Sequence, residues 1–292
     1  MIGIGILAAF VAVVLWSISQ LISKAVAPKL GTSKTAALVV SAGILPMLLL
    51  FLISPAVLSV YNTLLSVAAG VPLAVGYILF YKSVESQNIS NISGIDLLQP
   101  AVLAVYGIFV LSEPINRLQI IGTIAVFIGI ALISKKKDGK FNRRLIPAAL
   151  GNVVWAFYWI ILSSVISSSN QYVLPLLISR ITAAIITIFA LGFLLSSGNR
   201  SRLKADVGRT LKLSLAAVII LGFIEAMFDG GGNIIFGIVV NNGALALGAV
   251  LTALQPALIA FAAYYIYKER LTKVQTIGII AAIAGALLIA IF

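Results

Sequence analysis

The chain is a succession of long apolar runs separated by short polar links, and that pattern leaves few folds open to it. A helix needs about 18 or more apolar residues to cross a bilayer. Ten such runs can be drawn, roughly 3–26, 35–54, 62–82, 92–111, 118–134, 145–167, 172–195, 212–240, 243–267 and 274–292. In lipid, each backbone N–H and C=O must be satisfied within the protein, so runs of this length are expected as helices. Composition agrees: 61% of the residues are apolar and 10% charged, with mean hydropathy +1.16, far from a soluble domain. The expected class is an all-α, multi-pass membrane protein. The first run lacks the basic leader and small-residue cleavage site of a signal peptide, so it reads as a retained helix.

A second pattern lies on top of the first. Leu98-Gln99-Pro100-Ala101 leading to Glu113 is matched 156 residues later by Leu254-Gln255-Pro256-Ala257 leading to Glu269. Aligned without a gap, residues 94–133 and 250–289 are identical at 14 of 40 positions, against roughly a tenth for a chain of this composition. Trp16 matches Trp155 at an offset of 139, and Gly76–Phe80 matches Gly232–Phe236 at 156. The chain is therefore expected as two five-helix copies, residues 1–134 and 145–292, joined by the basic linker 135–144. An odd number of crossings per copy makes the two copies inverted in the membrane.

Charge and the missing residue types exclude several classes. There is no Cys and no His, which removes disulfides, thiol chemistry, imidazole catalysis and the usual zinc sets. No metal and no cofactor are expected, and a coupling proton would have to ride on Asp or Glu. The net charge of +12 sits mostly in short loops, where it speaks of membrane orientation rather than nucleic acid. On the ten-span reading Lys24, Lys29, Lys34, Lys82, the linker, the 200–212 loop, Lys268, Arg270 and Lys273 share one side, and only Arg117 lies on the other.

Several of these motifs together carry a resemblance. Gln99-Pro100 in mid-span, Leu111-Ser112-Glu113-Pro114 at its end and Gly122 and Gly129 in the next span recur as Gln255-Pro256, Lys268-Glu269-Arg270, Gly278 and Gly285. With Trp16, Trp155 and Arg180 after Leu174-Pro175, the chain resembles the EamA-type members of the drug/metabolite transporter superfamily. That resemblance implies a ten-helix inverted-repeat carrier with a central cavity, moving small organic metabolites by alternating access. Two features depart from the family pattern: Ser41 stands where the first copy often carries an Arg, and the charge bias opposes cytoplasmic termini.

The residues themselves suggest where a solute binds. Gly70-Val71-Pro72 with Gly76 and Gly230-Gly231-Gly232 fall at corresponding points of spans three and eight. Paired interruptions of this kind can break helices and expose backbone to a cavity, or they can serve close helix packing. Gln99-Pro100 and Gln255-Pro256 read as fixed kinks. Intramembrane ionisable groups must face water or a partner. Glu225, Asp229 and Asn233 share one face of span eight by i, i+4 spacing. Arg180 lies eight residues into span seven, roughly 12 Å deep, and is expected to pair with Asp229 or Glu225. Asp96 and Gln99 share a face of span four, where Asp96 is either a binding group or a solvated residue near the helix start. Trp16 and Gln20 on span one, Tyr77 and Tyr81 on span three, and Asn152, Trp155, Tyr158 and Trp159 on span six complete an aromatic and polar wall suited to amphiphilic organic solutes. Glu113 and Glu269, at span ends, read as capping or ion-pairing groups.

The expected function is a secondary transporter of small zwitterionic or amphiphilic metabolites such as amino acids, working as an exporter, with a proton as candidate coupling ion. A multidrug or quaternary-ammonium carrier is the alternative. An intramembrane enzyme lacks a catalytic constellation, and a scaffold would not need ionisable groups in mid-membrane. The expected partners are a small-molecule substrate and the lipid bilayer, with no nucleic acid, in a monomer or homodimer. The positive-inside rule places both termini outside the cytoplasm. A C-terminal epitope tag should therefore bind antibody on intact cells; binding only after permeabilisation would reverse the orientation.

Overall fold

The computed structural model describes residues 2–109, 117–133, 142–196, 213–242 and 245–291, and all regular structure among them is helical. The first half contains α1 (Ile2–Leu30), α2 (Thr32–Ala42), α3 (Ile44–Ile53), α4 (Val60–Val84), α5 (Ile89–Ile95), α6 (Leu98–Phe109) and α7 (Arg117–Ile133). The second contains α8 (Ile146–Ser169), α9 (Val173–Ser196), α10 (Leu215–Asn241), α11 (Leu245–Leu251), α12 (Gln255–Ile266) and α13 (Lys273–Ile291). Among the described residues, six segments are apolar and long enough to cross a membrane: 7–30, 32–53, 60–84, 143–169, 173–193 and 215–241. The fourth, fifth, ninth and tenth expected runs form shorter apolar helices among the described residues. The Glu113 motif, most of the linker and the 200–212 loop lie outside the described residues.

Local chemistry explains where the helices start and stop. Ser59 and Ser214 cap the corresponding helices α4 and α10, each accepting from a backbone N–H three residues on at 3.2 Å, which satisfies a donor the helix cannot pair itself. Gly31, at φ +83°, makes the one-residue turn from α1 to α2. The second run divides at Gly43, because Pro46 has no N–H to give the carbonyl of Ala42 and its ring crowds that carbonyl.

The Gln-Pro motifs do not kink continuous helices. Pro100 and Pro256 sit in the first turns of α6 and α12, where a missing N–H costs nothing. The interruption lies just before them, at Asp96-Leu97 in one half and at the 3₁₀ turn Thr252–Leu254 in the other.

The expected breaks at the glycine clusters are absent. Helices α4 and α10 run unbroken through Gly70-Val71-Pro72 and Gly230-Gly231-Gly232. These glycines serve close approach instead, the packing alternative weighed for them above. A Cβ on Gly70 would lie 2.4 Å from Thr182 Cβ and 2.6 Å from the Ser179 carbonyl oxygen; one on Gly230 would lie 2.8 Å from the Gly43 carbonyl oxygen and from Pro46.

Packing exchanges the halves. Helix α1 lies on α10 as α8 lies on α4; α4 meets α9 as α10 meets α2 and α3; α1 meets α12 as α8 meets α6; and α7 pairs with α13. The same reciprocity reaches single residues: Trp155 lies against Gly76 and Trp16 against Gly232. Helices α7 and α13 approach through Gly129 and Gly278, each of whose added Cβ would meet the other's carbonyl oxygen, at 2.5 and 2.8 Å. Glu269, expected as a capping group, accepts from the N–H groups of Ile89 (3.1 Å) and Ser90 (3.0 Å) and the Ser90 hydroxyl (2.6 Å), capping α5 of the opposite half.

A Cβ on Gly232 would fall 2.7 Å from the Trp16 ring, whereas on Gly231 it would meet only Leu15, at 3.6 Å. Gly232→Ala should therefore cost about 1–3 kcal/mol from overpacking, with Gly231→Ala close to neutral. Thermal unfolding of both variants in detergent checks this, and equal melting points would contradict the packing described.

Candidate functional site

Helical periodicity points a row of polar and aromatic side chains from each of four long helices toward a common centre. Helix α1 presents Trp16, Ser19 and Gln20; α8 presents Asn152, Trp155, Tyr158 and Trp159; α4 presents Leu73, Tyr77, Phe80 and Tyr81; and α10 presents Asp229, Asn233 and Phe236. The two interrupted runs close the space with Asp96, Gln99, Pro100 and Leu103 from one half and Ala249, Thr252 and Gln255 from the other. The volume open to the centre of a water molecule is about 80 Å³. One water needs roughly 10–15 Å³ on that measure, so the cavity holds several waters or one small organic molecule.

The cavity lies where the halves correspond. Trp16 and Trp155, Ser19 and Tyr158, Gln20 and Trp159, Leu73 and Asp229, Tyr77 and Asn233, Phe80 and Phe236, Asp96 and Thr252, and Gln99 and Gln255 are all equivalent pairs in the repeat register, and both members of each pair line it. Its aromatic walls obey the same relation. Trp16 meets Phe236 at 5.3 Å between ring centroids and Trp155 meets Phe80 at 5.5 Å; Trp159 adds an edge-to-face contact on Phe236 at 4.6 Å, and Trp155 one on Tyr77 at 5.3 Å. Such rings are stiff and offer π-faces to a solute.

The charges are not symmetric. Arg180 is fully buried, and its Nη1 lies 2.6 Å from Asp229 Oδ2. The same nitrogen donates to the Tyr77 hydroxyl at 2.8 Å, while Nε and Nη2 donate to the carbonyls of Val40 and Val39 at 3.0 Å each. Those carbonyls end α2 at the Gly43 break, where the helix dipole favours a cation; the Val39 carbonyl also accepts from the Gly43 N–H at 3.0 Å. Gly43 is needed there, since a Cβ would sit 2.2 Å from Arg180 Nη2. Tyr77 in turn donates to Asp229 Oδ2 at 2.5 Å, closing a triangle. One helical turn away, fully buried Glu225 accepts from the Tyr81 hydroxyl at 2.7 Å, and its other oxygen has no partner.

Asp96 is held differently. Gln20 Nε2 donates to its Oδ2 and Asn152 Nδ2 to its Oδ1, both at 2.8 Å. Among the described residues no basic side chain pairs with it. It is a cavity-wall group in the interruption before α6, held by two side-chain amides.

Of the thirteen expected site residues, Trp16, Gln20, Tyr77, Tyr81, Asp96, Gln99, Trp155, Tyr158, Trp159, Asp229 and Asn233 line the cavity. Arg180 and Glu225 do not. They lie behind Tyr77 and Tyr81, and Arg180 there holds Asp229 and the end of α2. The liners not foreseen include Leu73, Phe80, Phe236, Thr252 and Gln255. Leu73, Thr252 and Gln255 follow from the repeat register as the partners of Asp229, Asp96 and Gln99, whereas Phe80 and Phe236 are partners of each other and had no expected residue to point to them. Gln255 had been assigned to the frame with its Pro, and the cavity wall includes it.

Removing one partner of a buried ion pair strands the other, at about 3–5 kcal/mol. Arg180→Met should therefore strongly lower the melting point in detergent. Adding Asp229→Leu, the residue type of the other half, should restore much of the loss. If the double variant is less stable than Arg180→Met alone, Asp229 does not depend on Arg180 for its charge.

Comparison with known proteins places this architecture. No curated protein matches the chain in a sequence search. A solved crystal structure aligns with 97% of this chain and 95% of its own, with a TM-score of 0.64 and 14% identity, a likeness that concerns the fold alone. The family model of the EamA-like transporter family matches twice, over residues 3–135 and 144–291. Those two matches cover nearly the whole sequence and coincide with the two halves that pack reciprocally, and on that basis the chain belongs to the EamA-like transporter family.

Proposed function

We propose that the protein is a secondary transporter of the drug/metabolite transporter superfamily whose solutes are small amphiphilic organic amines, amino acids among them. Ten helices form two inverted five-helix copies, 1–134 and 145–292, and rock about the central cavity to expose it to each side of the cell membrane in turn. One observation carries the reading of the solute: among the described residues, the charged side chains lining the cavity are Asp96 and Asp229, set among aromatic rings. Carboxylates and π-faces attract cations and repel anions. The zwitterion reading survives only in part, because the carboxylate of an amino acid would have to be met by neutral donors rather than by Arg180. The quaternary-ammonium alternative gains from the same aromatic walls.

Export coupled to inward proton flow suits a carrier of this kind, and Glu225 is the group we assign to the proton. A charged Glu225 would be unmatched in a site closed to water. The titratable groups facing it are Tyr81 from α4, Asp229 on its own helix and Tyr267 beyond α12. Arg180 is engaged by Asp229, and Lys24 on α1 donates to the Gln87 carbonyl.

Proteoliposomes given a mixed pool of amino acids, amines, choline-like cations and sugar phosphates, with and without a pH gradient, test both parts. Amine-bearing solutes should be transported and sugar phosphates ignored, with the gradient raising the rate several-fold. Glu225→Gln should abolish the effect of the gradient while leaving exchange without it. Transport of the phosphates in preference to the amines would overturn the solute reading. A full gradient response in Glu225→Gln would overturn the coupling assignment.

A further inference from the structure

The cavity contains one polar cluster that its own hydrogen bonds leave incomplete. A carboxylate only accepts, so each amide beside Asp96 must turn its NH2 group toward it. Gln20 Nε2 takes one oxygen and Asn152 Nδ2 the other. The orientation of Asn152 is fixed twice, since its Nδ2 also donates to the Ala148 carbonyl at 2.9 Å. Both amide oxygens are thereby left over: Gln20 Oε1 and Asn152 Oδ1 are buried and have no hydrogen-bond partner. Asn152 is 1% exposed, yet it and Gln20 both belong to the cavity wall.

Buried acceptors without donors are rare and unfavourable, and they call for an explanation. Here the explanation has a chemical shape. Asp96 brings a negative charge that no basic side chain among the described residues matches, and each of the two amides that hold it leaves one acceptor over. The missing partner is a cation that carries several N–H donors. Asp229, by contrast, already has Arg180 and Tyr77 and does not make this demand. The cluster also occurs once, not twice: in the repeat register Gln20, Asp96 and Asn152 correspond to Trp159, Thr252 and Val13. It is therefore not part of the frame that the two copies share.

We infer that Asp96, Gln20 and Asn152 form a subsite for a primary ammonium group, whose three hydrogens meet the carboxylate and the two amide oxygens while the aromatic walls take the rest of the solute. This deepens the amine-transport reading and rests on it. The subsite separates two cations of like size. A primary ammonium completes the cluster, whereas a trimethylammonium has no N–H to offer and leaves both amide oxygens unpaired. Sites built to hydrogen-bond a ligand reject the analogue that lacks the donor far better than apolar pockets reject a missing methyl.

The protein supplies its own reporter. It has three Trp residues, and Trp16, Trp155 and Trp159 all line the cavity, so intrinsic fluorescence reads binding directly. Purified full-length protein in detergent is titrated with phenethylammonium and with its N,N,N-trimethyl analogue. The primary amine is expected to bind at least roughly tenfold more tightly. Gln20→Met and Asn152→Leu should each shrink that ratio, and Asp96→Asn should weaken the primary amine most. Melting points of the variants establish that each is folded, and Gln20→Met, which keeps the side-chain length, serves if Asn152→Leu is not.

Equal or tighter binding of the trimethyl compound to the unaltered protein overturns the subsite, as does binding of neither probe, or a ratio unchanged in the folded amide variants. Failure of the subsite is distinguishable from failure of the transport reading. Transport of both probes at equal rates removes the subsite and leaves an amine carrier, whereas no transport of any amine removes the carrier reading itself.

Discussion

A guanidinium buried in an apolar protein must find an acceptor for nearly every N–H it carries, and Arg180 finds them on three other helices. It reaches from α9 to two carbonyls at the end of α2, to Tyr77 on α4 and to Asp229 on α10. Each contact constrains its neighbour. The carbonyls end a helix because Gly43 and Pro46 interrupt the second run, and Gly43 is small because the guanidinium fills the space where a Cβ would stand. Breaking such a pair leaves a bare charge in a site closed to water. The triangle of Arg180, Asp229 and Tyr77 therefore forms one joint between the halves.

That joint also settles the electrostatics of the cavity by subtraction. With Asp229 matched from behind, the charge left facing a solute without a basic partner is Asp96. The cavity itself comes from the duplication: a space centred where two equivalent halves meet is lined by the same positions of both. Trp16 and Trp155 form its walls through reciprocal contacts with Gly232 and Gly76. Shared residues make the cage, and the positions where the halves differ give it polarity. Asp96 opposite Thr252 and Asp229 opposite Leu73 are the clearest cases.

Much of this was legible in the residues alone, for identifiable reasons. The 3.6-residue period placed Trp16 with Gln20, Tyr77 with Tyr81 and Trp155 with Trp159, and all six line the cavity. Depth in an apolar run, with a charge that must be matched, pointed to Asp229 or Glu225 as the partner of Arg180, and the partner is Asp229. What periodicity lacks is the distance from a helix to its neighbour. It could not say that Gly70 and Gly230 admit a packed backbone rather than break a helix, nor that Tyr77 would stand between Arg180 and the cavity. Span two itself holds the signal for the interruption at Gly43, in Pro46, but not the guanidinium, which reaches its end from another helix. Gln255 was misassigned because its Pro drew attention to the backbone, while its side chain faces the space opposite Gln99.

If one cavity between the two halves opens to each side of the membrane in turn, its wall can be reached chemically from both sides. The chain has no cysteine, so a single introduced thiol can be followed without background. Thr252→Cys places it on the cavity wall with little change in volume. Sealed vesicles of known orientation would be treated with a membrane-impermeant maleimide from outside or from within, with and without phenethylammonium. The account predicts labelling from both sides, slowed by the amine. Labelling confined to one side under every condition would contradict it.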